Sequence, residues 1–423
     1  MKLNIYKGAI INIVLVVNAL CWYMSYFSAL KTNSGFTSNN LVIIIGFNVL
    51  TVILSALLSS VLTQKIRNRL KFLFYWMGIG ALLSPIFLLI GNTPFYGTIA
   101  LAGIIGTYFG FGFPVLLGYY SATTNNTNRA KISGLTIFFT YIGFYIINII
   151  IPAAISNTPP LSNTSNTLLP SAISLILWKL IGIITIALLK PTETKISNEE
   201  TSSYKNILKM HPILFYLLLW LIFSIVNNFA LPILHHTFGN NNIITTVSMI
   251  ETILAGTLAI LFGFLADRTG RKRLIFIGFV TLGLGYAVLG LLPTTGGLYF
   301  YTIVDGIAWG IFSPLFLLTI WGDLAGKKGS EKFFVIGLLP YLLSNFLEVA
   351  FSQYIILSIT GLTTIFTFIC FFLFIAVIPL YLAPETLSEQ EIQEIKLKNY
   401  LKKAQTKVEK ETKKTQTNNN TTD

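Results

Sequence analysis

Long apolar runs alternate with short polar segments along the whole chain. A window of about 19 residues, the length that crosses a bilayer core as a helix, finds twelve such runs. The first run is too long for a signal peptide and lacks a small-residue cleavage site, so it counts as a membrane helix. The pattern predicts twelve membrane-spanning helices, at residues 8–30, 40–63, 70–91, 95–121, 130–153, 168–189, 210–234, 242–266, 272–292, 297–322, 332–357 and 361–383.

Charge adds an orientation to this pattern. Of the 29 Lys and Arg residues, all but Lys31 and Lys179 fall at the N-terminus, in the even-numbered loops or after the last predicted helix. Positive residues concentrate on the cytoplasmic side of membrane proteins, so both termini are expected in the cytoplasm of a multi-pass cell-membrane protein. The net charge of +13 is then a topology signal. No basic groove with interleaved aromatic residues favours nucleic acid as a partner.

Composition supports a membrane class. Hydrophobic residues make up 54% of the 423 positions and the mean hydropathy is +0.72, well above soluble domains. The longest polar interior segment, 190–209, divides the helices six and six. The segment after the last helix begins with a capping box of Ser388 and Glu391. We therefore predict an N-terminal six-helix bundle, a cytoplasmic linker, a C-terminal six-helix bundle and a cytoplasmic tail with a short helix and a disordered end, at 1–189, 190–209, 210–383 and 384–423.

The two halves share short sequence patterns. "GTYFGFGFP" (Gly106–Pro114) and "GIAWGIFSP" (Gly306–Pro314) have glycines at i and i+4 followed by proline at i+8. Glycines at this spacing expose backbone on one helix face and allow another helix to approach closely. "SSVLTQKIRNRL" (Ser59–Leu70) likewise aligns with "GFLADRTGRKRL" (Gly263–Leu274). Both pairs indicate two repeated six-helix halves, a transporter architecture with its binding site between them.

The second of these segments carries a family resemblance. G-x-L-A-D-R-x-G-R-K-x-L, between the eighth and ninth predicted helices, resembles the cytoplasmic signature loop of the major facilitator superfamily. The resemblance implies an all-α membrane protein with the major facilitator fold: twelve transmembrane helices in two six-helix pseudo-symmetric bundles. It also implies transport without enzymatic catalysis. The first-half copy is degraded, because Thr63 stands where the second half has Asp267 and Ile66 where it has Gly270.

The chemistry of the loop suits a switch as well as a turn. Asp267 ends a helix on the basic side, where it can accept hydrogen bonds from the N-terminus of a neighbouring helix. The glycines allow a tight turn and tight packing, and the basic residues can pair with Asp267 or with anionic lipid headgroups. The resemblance implies a latch that holds one conformation, and a plain positive-inside turn is the alternative. The predicted gating residues are Gly263, Asp267, Arg268, Gly270, Arg271 and Lys272.

Three smaller patterns resemble the sugar-porter branch of the superfamily. "PTET" (Pro191–Thr194) follows the sixth helix and "PET" (Pro384–Thr386) follows the twelfth. "RAKISG" (Arg129–Gly134) opens the fifth helix much as that branch's Arg-Gly loop does. The seventh helix departs from the branch, because "NNFALP" (Asn227–Pro232) lacks its glutamine pair.

Four ionisable residues lie inside predicted helices, where they are energetically expensive and usually functional. Lys179, Glu251, Asp305 and Glu348 each lie roughly 15 Å below the external end of the predicted helix, which places them in one layer near the midplane. In the superfamily, helices 8, 10 and 11 line the central cavity. Neighbouring carboxylates in a low-dielectric site favour proton uptake. Asp305, Glu348 and Glu251 are therefore predicted to couple protons or bind substrate, with a structural hydrogen bond as the alternative.

Lys179 lies on the sixth helix, which is peripheral in the superfamily. It is expected to pair locally or to extend its ammonium toward the interface. Aromatic and amide residues could line the central cavity, although core packing needs the same residue types. These cavity-lining candidates are Trp22, Tyr23, Tyr26, Tyr141, Tyr145, Asn227, Asn228 and Trp309.

Other chemistry is not indicated. "GDLAGKKGS" (Gly322–Ser330) has the wrong glycine spacing for a phosphate loop, and no cofactor is predicted. His235 and His236 are expected as a surface pair in an external loop, without metal ligands nearby. Cys21 and Cys370 both lie inside predicted helices and suggest neither a disulfide nor a metal site.

These features together predict a monomeric secondary active transporter. It would move a small solute, such as a sugar, organic ion or metabolite, with protons or another ion as the coupling partner and membrane lipids around it. Three alternatives remain open: a multidrug-type exporter of the same fold, a ligand sensor derived from a transporter, and an integral-membrane enzyme. A sensor favours a large soluble signalling domain and an enzyme needs a catalytic cluster, and neither feature is visible in the sequence.

Overall fold

The structure is a computed structural model. It describes residues 2–32, 35–63, 68–90, 92–156, 168–189, 191, 203–239, 241–326, 329–352, 354 and 359–387, and isolated positions between 390 and 405. Within these ranges the chain is helical and has no strands, and twelve helices are long and apolar enough to cross a membrane. The predicted number of spans is therefore confirmed. The predicted capping residues Ser388 and Glu391 lie outside the described residues.

The twelve helices form two six-helix bundles. The first bundle consists of α1 (Lys2–Lys31), α2 (Ser38–Leu62), α3 (Arg69–Leu89), α4 (Phe95–Thr123), α5 (Arg129–Ser156) and α6 (Leu168–Leu189). The second consists of α7 (His211–Thr237), α8 (Asn241–Thr269), α9 (Arg271–Leu291), α10 (Thr295–Ala325), α11 (Glu331–Ser352) and α12 (Ile359–Ile375, continued by Val377–Leu382). A short helix, Tyr204–Leu208, precedes α7.

Two boundaries differ from the sequence prediction. Helix α11 ends at Ser352 and not at 357, which brings Glu348 close to the helix end. Helix α7 continues to Thr237, so His235 and His236 belong to its last turn and not to a loop. In α7 the helical hydrogen bonds continue through His235 and His236, although these residues are polar. The length of an apolar run is therefore only an approximate guide to where a helix ends.

The repeated glycine pattern performs the same packing task in both bundles. In the first bundle, a Cβ added at Gly106 of α4 would lie 2.6 Å from the Asn48 carbonyl oxygen of α2. In the second, a Cβ added at Gly306 of α10 would lie 3.2 Å from the Glu251 carbonyl oxygen of α8. Such contacts let the two helix backbones approach closely, as the spacing predicted. Equivalent helix pairs therefore pack in equivalent ways, in keeping with the pseudo-symmetry.

Helix α10 is irregular where it reaches the centre of the molecule. Its α-helix ends at Phe312, and a π-helical turn, Ser313–Thr319, follows around Pro314. Proline has no N–H to donate and crowds the preceding turn, and π-turns often mark functional positions. The turn lies between the two bundles, where Ser313 and Leu317 form part of a cavity wall.

Because successive helices run in opposite directions, the bundles share two ends. The motif end is the end where α5 begins at Arg129 and where α8 ends at Thr269, two residues after Asp267. The opposite end is the end where α1 finishes at Lys31. Ion pairs at both ends join the first bundle to the second.

Candidate functional site

A cavity of about 280 Å³ lies between the two bundles. Its wall is mainly apolar and rich in aromatic rings: the ring of Tyr23 on α1 stacks on Phe109 of α4 with centroids 3.9 Å apart, and Trp309 on α10 meets Tyr341 of α11 edge-on. Among the described residues, the polar groups along the wall are those of Ser28, Lys31, Thr140, Ser313 and Asn345, together with the tyrosine hydroxyls and the Trp309 indole N–H. This lining suits a molecule with an apolar body and few polar groups.

The predicted cavity-lining residues divide into two groups. The structure places Tyr23, Tyr141 and Trp309 on the wall. The others do not line this cavity, which corrects the prediction for Trp22, Tyr26, Tyr145, Asn227 and Asn228. Side chains project from all sides of a helix, and the sequence alone did not show which side of each helix faces the cavity between the bundles.

Trp22 and Tyr26 point into the core of the first bundle. The Trp22 indole N–H donates to the Ser84 hydroxyl at 2.9 Å, and the Tyr26 hydroxyl donates to the Ser84 carbonyl at 2.7 Å. Asn228 also has a structural partner, since its amide donates to the Ser344 hydroxyl on α11 at 2.9 Å. These residues hold helices together around the cavity.

Asp305 lies at the centre of a buried hydrogen-bond network in the second bundle. The Asn227 amide of α7 donates to one Asp305 carboxylate oxygen at 2.8 Å, and the Tyr301 hydroxyl donates to the other at 3.2 Å. Tyr301 also shares a hydrogen bond of 3.0 Å with Tyr286 of α9. The carboxylate therefore joins helices α7, α9 and α10, one turn from the cavity residue Trp309.

Glu251 on α8 is the second acidic residue of this region. It lies beside Asp305 where α8 and α10 pack closely, because a Cβ added at Gly306, the residue after Asp305, would lie 3.2 Å from the Glu251 carbonyl oxygen. Neither carboxylate lines the cavity itself. Asp305 lies one helical turn from the wall residue Trp309, and Glu251 lies on the neighbouring helix α8.

Glu348 does not belong to this layer, contrary to the sequence prediction. It lies four residues before the end of α11 at Ser352, which is about 6 Å along the helix. Its carboxylate pairs with the Lys31 ammonium at the end of α1, 2.6 Å away. The prediction failed because the apolar run continues beyond the end of the helix. Lys31 was overlooked as a site residue, although it stood out as a lone basic residue at the opposite end.

Lys179 is enclosed in the first bundle and does not extend to the interface. Its ammonium lies 4.9, 5.1 and 5.5 Å from the ring centroids of Trp22, Trp76 and Tyr108, and 3.8 Å from the Met77 sulfur. Cations are attracted to the faces of aromatic rings, most strongly where water is excluded. Lys179 therefore joins helices α1, α3, α4 and α6 through an aromatic cage, away from the central cavity.

At the motif end, Asp267 binds the first bundle. It accepts hydrogen bonds from the backbone N–H groups of Ala130 at 3.2 Å and Lys131 at 2.8 Å, in the first turn of α5. The predicted hydrogen bond to the N-terminus of a neighbouring helix is therefore confirmed, while the gating role stays a prediction. Gly263 brings the backbones together, because a Cβ added there would lie 3.2 Å from the Gly134 Cα.

Arg271 connects this contact to a second carboxylate. It pairs with Asp267 at 3.0 Å and with Asp323 of α10 at 3.1 Å. Asp323 also pairs with Arg129 of α5, so the cluster crosses between the bundles. Sequence analysis missed Asp323, although an acidic residue beside a basic loop is a signal for an ion pair.

The remaining loop residues have separate partners. Gly270 has φ of +94° and is followed by the free N–H groups of α9, which bind the Glu385 carboxylate: Arg271 donates at 2.9 Å and Lys272 at 3.0 Å. The Lys272 ammonium donates to the Tyr381 carbonyl at 2.7 Å. Arg268 is exposed. The "PET" segment after α12 therefore caps α9, as expected for a carboxylate at a helix N-terminus.

The degraded first-half copy is completed by a residue from the second bundle. The Thr63 hydroxyl, where Asp267 has its carboxylate, donates to the Ser59 carbonyl of its own helix at 2.7 Å. Arg69, at the start of α3, pairs instead with Glu331 at the start of α11. Gly118 makes room for this carboxylate, because an added Cβ would lie 2.6 Å from the Glu331 Cδ. Residues 64–67 of this copy lie outside the described ranges.

Among solved structures, the chain resembles two transporters in fold. One is the proton:xylose symporter XylE bound to 6-bromo-6-deoxy-D-glucose, with a TM-score of 0.62, 14% identity, and coverage of 93% of this chain and 99% of that chain. The other is the human organic anion transporter MFSD10, with a TM-score of 0.60, 12% identity, and coverage of 89% and 99%. No curated protein matches the chain in sequence.

A family profile gives the assignment that these distant fold likenesses cannot give by themselves. The profile of the Major Facilitator Superfamily matches residues 11–320 and 213–410, and together the two matches cover most of the chain. With its twelve helices, its two pseudo-symmetric bundles and its signature loop between α8 and α9, the chain belongs to the major facilitator superfamily of membrane transporters.

Proposed function

We propose that the protein is a secondary active transporter that moves a small organic solute by alternating access and catalyses no reaction. The observation that carries the proposal is the central cavity, whose floor toward the motif end is formed by contacts between the two bundles. Leu317 and Leu318 line the cavity, and the next residue, Thr319, donates a hydrogen bond of 2.9 Å to Ser133 of α5. A solute reaching this cavity from the opposite end would meet a closed floor.

The ion pairs at the motif end must break during the second half of the transport cycle, when the cavity opens on that side. Arg129 with Asp323, and Arg69 with Glu331, join the bundles on two sides of the floor. Opening toward the motif end requires these pairs and the Asp267 contact with α5 to separate and become hydrated. Packed interfaces of this kind switch between discrete arrangements, because intermediate positions leave charges unpaired.

We further propose that Asp305 and Glu251 couple transport to protons. Two donors, Asn227 and Tyr301, hold the Asp305 carboxylate, which fits its ionised form. A proton on that carboxylate would need an acceptor and would weaken one of these bonds. Because Asn227 belongs to α7 and Asp305 to α10, proton binding would change the contact between two helices beside the cavity.

The basic residues support the orientation in the membrane. We propose a monomer in the cell membrane with both termini in the cytoplasm, so that the motif end faces the cytoplasm and the end with Lys31 faces outward. XylE, a proton:xylose symporter by its title, shares only the fold with this chain. The aromatic lining favours a more apolar solute than a sugar.

Uptake into proteoliposomes tests the proposal. The wild-type protein should take up at least one member of a panel of small radiolabelled metabolites, and accumulate it only when a pH gradient is imposed. Asp305→Asn and Glu251→Gln should lose accumulation but keep counterflow, since exchange of solute needs no net proton transfer. Glu394→Gln, which removes an exposed carboxylate from the tail, is the control. Unchanged accumulation in both variants would rule out coupling through this pair, and no uptake of any solute would contradict the transporter.

A further inference from the structure

Lys31 is the one charged residue that lines the central cavity in the described part of the chain. It ends α1, and its side chain is 33% exposed. Its partner Glu348 on α11 does not line the cavity and has a side chain only 7% exposed. Lys31 therefore contributes to the cavity wall and is the more exposed member of the ion pair, whereas Glu348 does not reach the wall.

The rest of the wall fits an apolar molecule. Tyr23, Phe109, Trp309 and Tyr341 present ring faces and edges to a space of about 280 Å³. Asn345 adds an amide on α11, next to the position that faces Lys31. A solute that satisfied all of these groups would have a ring system or a short hydrocarbon body and one negatively charged end.

We propose that the cavity binds amphipathic organic anions, and that Lys31 binds their carboxylate or sulfonate group. This inference rests on the proposed function and narrows it to a substrate class. An ammonium has three N–H donors, and Glu348 accepts one of them, so donors remain for a second anion. A charge-assisted hydrogen bond at the edge of an apolar site is stronger than one between neutral groups.

The same geometry disfavours a cationic solute. A cation entering along the wall would meet the Lys31 ammonium before it could reach the Glu348 carboxylate, and like charges repel. Asp305 and Glu251 do not line the cavity, so neither places a negative charge on its surface. The cavity surface therefore selects for negative charge.

Anion binding would also act on the contact between the bundles. Lys31 belongs to the first bundle and Glu348 to the second, and in the described residues theirs is the ion pair that crosses between the bundles at the opposite end. A bound anion competes with Glu348 for the ammonium and loosens this pair. Binding of the solute is thereby linked to whether the Lys31–Glu348 ion pair between the bundles is formed or broken.

Three naphthalene probes of similar size test the charge preference: 2-naphthoate, its neutral isostere 2-naphthamide and the cationic 2-naphthylmethylammonium. Binding to the purified full chain in nanodiscs is followed by tryptophan fluorescence, since Trp309 lies on the wall. Wild-type protein should bind naphthoate about tenfold or more tightly than naphthamide, the ratio that one charge-assisted hydrogen bond supplies. Naphthylmethylammonium should bind most weakly of the three.

Variants of Lys31 and Glu348 distinguish anion binding from a purely structural ion pair, because the two roles predict changes of naphthoate affinity in different directions. Lys31→Gln should remove the preference for naphthoate without weakening naphthamide, and Lys31→Arg should keep it. Glu348→Gln should tighten naphthoate several-fold, because it removes the competing carboxylate, whereas a merely structural ion pair would lose affinity in both variants. Lys71→Gln, at an exposed lysine of the motif end, is the control and should change none of the affinities.

Equal binding of naphthoate and naphthamide, a preference for the cation, or no binding of any probe would overturn the anion proposal. So would a loss of naphthoate affinity in Glu348→Gln matching that in Lys31→Gln. Uptake of these probes and of the metabolite panel into proteoliposomes distinguishes this failure from failure of the transporter. Transport of neutral or cationic solutes alone would leave the transporter standing and remove only the anion class.

Discussion

Both copies of the signature loop join the two bundles through a carboxylate, but the carboxylate comes from a different place in each. In the second bundle the carboxylate is part of the loop: Asp267 binds the first turn of α5 and pairs with Arg271. In the first bundle Thr63 replaces that carboxylate, and the basic residue Arg69 takes Glu331 from α11. In both arrangements a buried carboxylate of the second bundle, Asp267 or Glu331, binds the start of a helix in the first bundle, α5 or α3. The requirement is therefore for paired charge at the junction, and not for one residue at one position.

The comparison also shows an asymmetry in strength. The intact side has a cluster in which Asp323 serves both Arg129 and Arg271, together with the backbone contact of Asp267. On the degraded side, the ion pair seen among the described residues is that of Arg69 with Glu331, whose carboxylate lies against Gly118. We expect the two sides to contribute unequally to the closed floor, and variants at each side can measure the difference.

The largest effect is expected from Asp323→Ala on the intact side. It leaves two buried guanidinium groups, Arg129 and Arg271, without this carboxylate. Removing one partner of a buried ion pair typically destabilises a protein by about 3–5 kcal/mol. The midpoint of thermal unfolding in detergent should fall markedly and uptake should be lost. A midpoint equal to that of wild type would show that Asp323 does not stabilise the closed floor.

A smaller effect is expected from Glu331→Gln on the degraded side, because in the described part of the chain Glu331 pairs with one guanidinium group, whereas Asp323 pairs with two. Loss of the charge should lower the unfolding midpoint by less than Asp323→Ala does and should slow transport. The double exchange Arg69→Glu with Glu331→Arg retains opposite charges and should recover part of the loss. If Glu331→Gln transports normally, the substitute carboxylate has no role in the cycle and the two copies are not equivalent.

Asp267→Asn should leave the protein folded and inserted but slow transport. The amide can still accept one backbone hydrogen bond, but the charge that attracts the α5 N-terminus and Arg271 is lost. Hydrogen bonds to charged groups contribute about 1.5–3 kcal/mol, enough to shift a two-state equilibrium about tenfold or more. Initial uptake rates at matched expression measure the effect. Thr63→Asn, at the corresponding position of the first copy, is the control and should change the rate little.

The last prediction concerns the membrane face on which each loop copy lies, and its cysteine substitutions should affect transport least. Both copies must lie on the same face of the membrane if the comparison is valid. In a background with Cys21 and Cys370 replaced by alanine, single cysteines at Lys71 and Arg268 should react with an impermeant maleimide only from the cytoplasmic side. A cysteine at Asn92, in the loop between α3 and α4, should react only from the outside. Labelling of Lys71 and Arg268 from different faces would contradict the twelve-helix topology.

Much of the fold was accessible from the sequence because bilayer crossing is a one-dimensional requirement. Each span needs about 20 apolar residues in a row, and backbone groups must be satisfied within the helix. The number of helices, the signature loop and the glycine pattern of Gly106 and Gly306 could therefore be predicted. The acceptor role of Asp267 at a helix N-terminus also followed from its place at the end of α8.

The cavity wall depended on rotation of the helices about their axes, which the apolar pattern does not encode when nearly every face is apolar. Trp22 and Trp309 were equal candidates in the sequence, yet one encloses Lys179 and the other lines the cavity. Glu348 with Lys31, and Glu331 with Arg69, are separated by hundreds of residues. Their pairing arises only when the two bundles pack, because charges in a low-dielectric interior find partners by proximity in space and not along the chain.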